Sequence, residues 1–136
     1  MNTITAGKTA KAPNTGSLKA PKKTFQIQYS SELNLVSVRG WSITDTVAER
    51  YSHLLSSIEK HLEKNGILTL HFRYETFNGT TVKYLFKILK VMNKAHAKGQ
   101  KVKIYWSCLS SHESDMIDMG LDLSKMCDFD FNISYL

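Results

Sequence analysis

From residue 24 onward the hydrophobic positions fall into two alternating rhythms. "TFQIQY" (24–29) and "LNLVSVRG" (33–40) are apolar at every second residue and are separated by the polar "SSE", the pattern of a β-hairpin whose second strand ends at Gly40. At Thr44 the spacing changes to threes and fours. Val47, Tyr51, Leu54, Leu55, Ile58 and Leu62 form the stripe of an amphipathic helix that stops at "KNG", where Gly66 is expected in a left-handed cap. "ILTLHFRY" (67–74) returns to period two, with Leu68, Leu70, Phe72 and Tyr74 on one face and Thr69, His71 and Arg73 on the other. The next helix sets Val82, Leu85, Leu89 and Met92 on one side and Lys83, Lys87, Lys90 and Lys94 on the other, and ends near Gly99. "KVKIYW" (101–106) reads as a strand, "ESDMIDMGLDLSKM" (113–126) as a helix with an acidic start, and "FDFNISYL" (129–136) as a last strand. The order β-β-α-β-α-β-α-β predicts a single α/β domain over residues 24–136. It should contain one mixed sheet of about five strands, right-handed crossovers and three helices packed on the sheet.

Charge changes the picture little once it is located. The formal net charge of +6 is mostly contributed by residues 1–23, where Lys8, Lys11, Lys19, Lys22 and Lys23 stand without an acid. The 13 basic and 12 acidic residues that remain leave the body near neutral, which argues against a dedicated nucleic-acid face. The first 23 residues hold both prolines and almost nothing to bury, and are expected to be a disordered basic tail. Their Lys/Thr/Ala bias is shared with transit peptides, but they contain no arginine. No apolar run approaches the roughly 20 residues of a membrane helix, so a cytoplasmic protein with no membrane partner is expected. Cys108 and Cys127 are too far apart for a CxxC pair, and His53, His61, His71, His96 and His112 show no HExxH or HxH spacing. No metal and no cofactor are expected.

The chemistry concentrates where the third strand meets the second helix, in "YETFNGTTVKYLFKILKVM" (74–92). A helix start leaves its first four N–H groups unpaired and carries about half a positive elementary charge. On the plain reading Asn78 caps, Gly79 turns, and Thr80 and Thr81 fill the first turn. The functional reading uses the same physics: a phosphate on a hydroxyl there would meet a site already suited to anions and would change the surface a partner sees. A thiol-His-Asp enzyme built from Cys108, His112 and Asp115 is the weaker alternative, because a cysteine ending a strand is more often a small buried hydrophobe. Glu113, Asp115 and Asp118 are read as acids answering a helix dipole rather than as a cation site. Trp106 reads as a core or rim aromatic, and Trp41, between a strand end and a helix start, as a candidate for an interface.

Four motifs in order resemble those of the SiaC-type regulatory phosphoproteins, a bacterial family. "YETFNGTTVKYLFKIL" is similar to the family's strand end followed by Phe/Leu-Asn-Thr-Ser-Ser, a hydrophobic residue and Lys. "VRGWSITDT" resembles its Gly-x-Ser-Tyr-Pro-Glu-Asn segment, "VKIYW" its Val-x-Val-x-Trp strand, and "ESDMIDMG" its acidic Asp-x-Asp-Met-x-Glu-x-Gly segment. The resemblance spans residues 33 to about 131 and implies a fold similar to STAS domains, the anti-sigma-antagonist fold. It further implies a non-enzymatic switch protein that is phosphorylated by a kinase and dephosphorylated by a PPM-type phosphatase. In one branch the unphosphorylated form activates a diguanylate cyclase in cyclic-di-GMP signalling. Residue by residue, Asn78 and Lys83 match the motif, Thr80 and Thr81 match its two serines, and Gly79 stands where the family has its acceptor threonine. The acceptor has therefore moved to Thr80, with Thr81 second, or the chain is a constitutive binding module without the switch. Trp41, Ser42 and Asp45 complete the expected partner-binding set. Thr44, Asp45 and Thr46 replace Pro-Glu-Asn, keeping capping side chains and one carboxylate.

Overall fold

The computed structural model describes residues 24–109 and 114–135. The expected tail, His112 and Glu113 lie outside the described residues. The elements run β1 (Phe25–Ser30), β2 (Leu35–Ser42), α1 (Val47–Lys64), β3 (Ile67–Phe77), α2 (Gly79–Ala97), β4 (Lys101–Cys108), α3 (Ser114–Ser124) and β5 (Asp130–Tyr135). This is the expected order, in one five-stranded sheet.

The strands lie side by side in the order in which they occur in the chain. The β1–β2 hairpin is antiparallel, from Phe25↔Gly40 to Ser30↔Leu35, and every later pair is parallel. Right-handed crossovers that always step the same way place every connecting helix on one face. The side chains agree with that geometry. Val36, Val38, Leu68, Leu70, Phe72, Tyr74, Val102, Ile104 and Trp106 are buried against the helices, while the alternate positions Ser37, Arg39, Thr69, His71, Arg73 and Tyr105 are only half-buried. A parallel sheet covered on both faces would read as continuous hydrophobic runs, so the alternation itself encodes a two-layer molecule.

Helix α1 buries Val47, Tyr51, Leu54, Ile58, His61 and Leu62, and α2 buries Thr81, Leu85, Ile88, Leu89, Met92 and Ala95. Helix α3 approaches Trp106 of β4 closely because Gly120 has no side chain. A Cβ there would sit 2.6 Å from Trp106 Cδ1, and the indole Nε1–H donates to the Met116 carbonyl at 2.9 Å.

Two glycines behave differently from the sequence reading. Gly40 does not end β2. It has φ +105, the strand continues to Ser42, and the register slips between Gly40↔Tyr74 and Trp41↔Thr76, leaving Glu75 as the extra residue of a bulge. A Cβ on Gly40 would lie 2.2 Å from the Thr24 carbonyl oxygen, the same oxygen that accepts from the Trp41 amide at 2.7 Å. Gly66 is not a left-handed cap, since α1 ends instead on an extended Asn65. Its last turn is satisfied by a distant residue, Gln100, whose Nε2 donates to the Leu62 carbonyl at 2.8 Å.

Candidate functional site

The bulge carries β3 past its expected end to Phe77, and the chain turns directly into α2. Asn78 is extended (φ −123, ψ −176), and its Oδ1 accepts from the Thr81 amide at 3.0 Å, the N-cap bond expected of asparagine. The Val82 amide donates to the Asn78 carbonyl at 3.2 Å and opens the helix ladder. The amides of Gly79 and Thr80 make no hydrogen bond among the described residues, and the first turn of α2 holds no acid. No acid of the helix's own first turn offsets its positive end, and Lys83 is exposed one turn further on.

The two threonines have opposite environments. Thr80 is exposed, whereas Thr81 is 0% exposed and sits at one end of a buried chain of hydroxyls. Tyr74 Oη lies 2.6 Å from Tyr51 Oη, Tyr51 Oη 2.9 Å from Ser42 Oγ, and Ser42 Oγ 2.6 Å from Thr81 Oγ1. Thr81 Oγ1 lies 2.8 Å from the Ser42 carbonyl oxygen, which can only accept, and 3.2 Å from Asn78 Oδ1. With Thr81 donating to that carbonyl, the remaining protons fall into one sense: Tyr74 donates to Tyr51, Tyr51 to Ser42, and Ser42 to Thr81. Burial pushes the Tyr51 phenol up to about 12 and raises Tyr74 well above its ordinary value, so both are protonated donors at neutral pH.

Of the remaining candidates, Gly79 is exposed and its missing side chain would meet nothing within 4 Å; its φ is not positive. A threonine would therefore fit where the glycine stands. Ser42 is fully buried, so it joins β2 to the helix mouth rather than facing a partner. Trp41 is half-buried beside Thr76, and Asp45 is exposed in the loop before α1. The expected capping by Thr44–Thr46 is not made: Thr46 holds the N-cap position without a side-chain bond to the helix, and its hydroxyl lies 3.3 Å from that of Thr44. Phe77 and Thr76 also border a groove that Glu75, Asp115, Asp118 and Asp122 make acidic, and no metal-binding cluster occurs among the described residues. Cys108 is buried in β4 and Asp115 is exposed on α3. The sequence reading missed Tyr51 and Tyr74 as members of the site, although a buried tyrosine needs a partner for its hydroxyl and so signals a polar cluster.

The model of the SiaC family regulatory phosphoproteins matches residues 18–136. The chain belongs to this family. Solved structures support the fold. SiaC of Pseudomonas aeruginosa, in the crystal structure of the diguanylate cyclase SiaD with its activator SiaC, superposes with a TM-score of 0.79 at 21% identity, covering 86% of this chain and 96% of that one. Apo-SiaC from the same organism gives 0.74 at 22% identity, covering 85% and 93%. No curated protein matches the sequence. Among the described residues no helix is long and apolar enough to cross a membrane.

Proposed function

We propose that this family member is a non-enzymatic, cytoplasmic regulator in a bacterial partner-switching pathway, with the Thr80 hydroxyl as its switch. A kinase adds phosphate to Thr80, a PPM-type phosphatase removes it, and the unmodified form binds the effector, a diguanylate cyclase. The observation that carries this reading is the contrast at the mouth of α2. Thr80 is exposed in a first turn with no acid, where its own amide and that of Gly79 bond to no described residue, whereas Thr81 is enclosed. A phosphate at Thr80 brings nearly two negative charges to the positive end of the helix, near Lys83, without opening the core. On this reading Asn78, Gly79 and Lys83, close to Thr80 along the chain, and Trp41 and Asp45, at the end of β2 and in the loop before α1, form the surface that a partner reads. The related SiaC is an activator seen in complex with its cyclase, which supports the choice of effector.

Phosphopeptide mass spectrometry after incubation with the kinase of the same organism tests the switch. Phosphate is expected on Thr80 and not on Thr81. Thr80→Asp is expected to weaken effector binding by about 1–3 kcal/mol, and Thr80→Ala to bind like the unmodified protein. Phosphate on neither threonine, together with normal binding by Thr80→Asp, would favour the second reading, a constitutive binding module. That reading is suggested by the glycine at the family's acceptor position.

A further inference from the structure

The acidic groove beside the mouth of α2 is not needed by the switch. Asp115, Asp118 and Asp122 recur at steps of three and four along α3 and so share one side of that helix. β3 contributes Glu75 and Thr76, and Phe77, Met116 and Met119 add apolar lining. No basic residue lines the groove, and none of its four carboxylates makes an ion pair with a described residue. Arg73, two residues before Glu75 on the same strand, has a contact of its own and is not part of the lining. Other surfaces lack this character. The groove between α1 and α2 is lined by Glu59 and Glu63 but also by Lys94 and Lys98. On the helix-free face of the sheet, the row of Ser37, His71 and Tyr105 and the pair Arg39 and Arg73 hold no carboxylate. Burial and the two arginines hold the His71 imidazole there down to about 4.

We propose that the acidic groove receives the chain's own basic segment, residues 1–23, as an internal, charge-paired ligand. Charge complementarity selects this occupant, because the segment carries five lysines and no acid while the rest of the chain is near neutral. The point where the segment joins the body fits as well. The Thr24 carbonyl accepts from the Trp41 amide at 2.7 Å, and Trp41 stands opposite Thr76, which lines the groove. Thr24 therefore lies two strand spacings, about 10 Å, from the β3 side of the groove. Five extended residues span at most about 18 Å, so Lys19, Lys22 and Lys23 are all within reach of it. From Asp115 to Asp122 the helix adds only about 10 Å, a distance that the rest of the segment covers easily. Lysine stems can lie along Phe77, Met116 and Met119 while their ammonium groups meet the carboxylates. Each exposed pair is weak, but the tether supplies an effective concentration of about millimolar, which makes several weak pairs sufficient.

The test compares the full-length, isotope-labelled protein with a full-length variant in which Lys8, Lys11, Lys19, Lys22 and Lys23 are each changed to Gln. At low salt the two are expected to differ in amide NMR shifts at Glu75, Thr76, Phe77 and residues 114–122, by an amount independent of protein concentration. The difference should fall several-fold from about 0.01 M to about 1 M salt, as the range of the charges drops from about 30 Å to about 3 Å. A synthetic peptide of residues 1–23, added to the Gln variant, should saturably restore the wild-type shifts at the same positions. When Asp115→Asn, Asp118→Asn and Asp122→Asn are combined in both proteins, the difference should vanish. Glu75→Gln, on the β3 side, should shrink it and serves as the second check where α3 does not tolerate the triple change. The proposal is overturned by identical low-salt spectra, by a difference that persists without the α3 carboxylates, or by one centred on Glu59 and Glu63. A difference that grows with protein concentration would overturn it too, since the occupant would then be the segment of a second copy.

Discussion

At the scale of single residues, the mouth of α2 is governed by where protons can go. The hydroxyl chain has one direction, so its two ends are not equivalent. Tyr74→Phe removes the donor at the head and leaves no proton stranded, because Tyr51 still donates to Ser42. Thr81→Val removes the acceptor at the other end and leaves the buried Ser42 hydroxyl proton and the Ser42 carbonyl without their partner. Losing one ordinary hydrogen bond costs about 1 kcal/mol, whereas orphaning a buried group costs about 1–3. Urea unfolding should therefore show Thr81→Val as the more damaging change, and equal losses would contradict the proton order. This asymmetry was not legible in the sequence. Thr80 and Thr81 are the same residue type one step apart, and the turn of about 100° between them decides which is enclosed. What encloses Thr81 comes from β2, α1 and β3, segments joined only by the fold.

At the scale of elements, the period changes were read correctly from residues alone, and the errors sit at ends that a distant element completes. Gly66 is expected to cap α1, but the helix ends on Asn65, and Gln100, just before the neighbouring strand β4, donates to the Leu62 carbonyl of the last turn. Gly40 was expected to end β2, but its positive φ serves a close approach to Thr24 and a bulge beyond it. Gly79 has neither constraint. Gly79→Thr should fold with unchanged or slightly raised thermal stability, since glycine costs up to about 1 kcal/mol in a helix. The restored hydroxyl should then compete with Thr80 for phosphate in the kinase reaction, and a loss of stability would mean that the space beside Gly79 is not open. Gly120 is the opposite case. Gly120→Ala gains helix propensity but drives a methyl group into the Trp106 ring, and overpacking of this kind costs about 1–3 kcal/mol. A lower melting temperature with a shifted tryptophan fluorescence spectrum is expected, and an unchanged melting temperature would show that α3 simply slides away.

At the scale of the whole molecule, stability is linked to pH through the helix-free face. His71 is held down to about 4 in the folded protein, against an ordinary value of 6.5. The unfolded chain therefore binds the extra proton first as acid is added. The stability that depends on a neutral His71 is complete above about pH 6.5 and is lost progressively toward pH 4. Melting temperatures measured across that window should fall less steeply for His71→Gln than for wild type, and parallel curves would remove His71 as the cause.

The strictly sequential strand order also bears on how the molecule is made. Each strand pairs with the one synthesised just before it, so the sheet can grow in the order in which the chain leaves the ribosome, with no strand waiting to be inserted between two others. Ser42, Tyr51, Tyr74, Asn78 and Thr81 all precede β4, so every residue of the hydroxyl chain has been synthesised before the last strand pair exists. Strand β4, helix α3 and strand β5 are added afterwards, and Trp106 of β4 then packs edge-on against Tyr74 at the head of the chain, so damage at Gly120 reaches the finished mouth through that one ring.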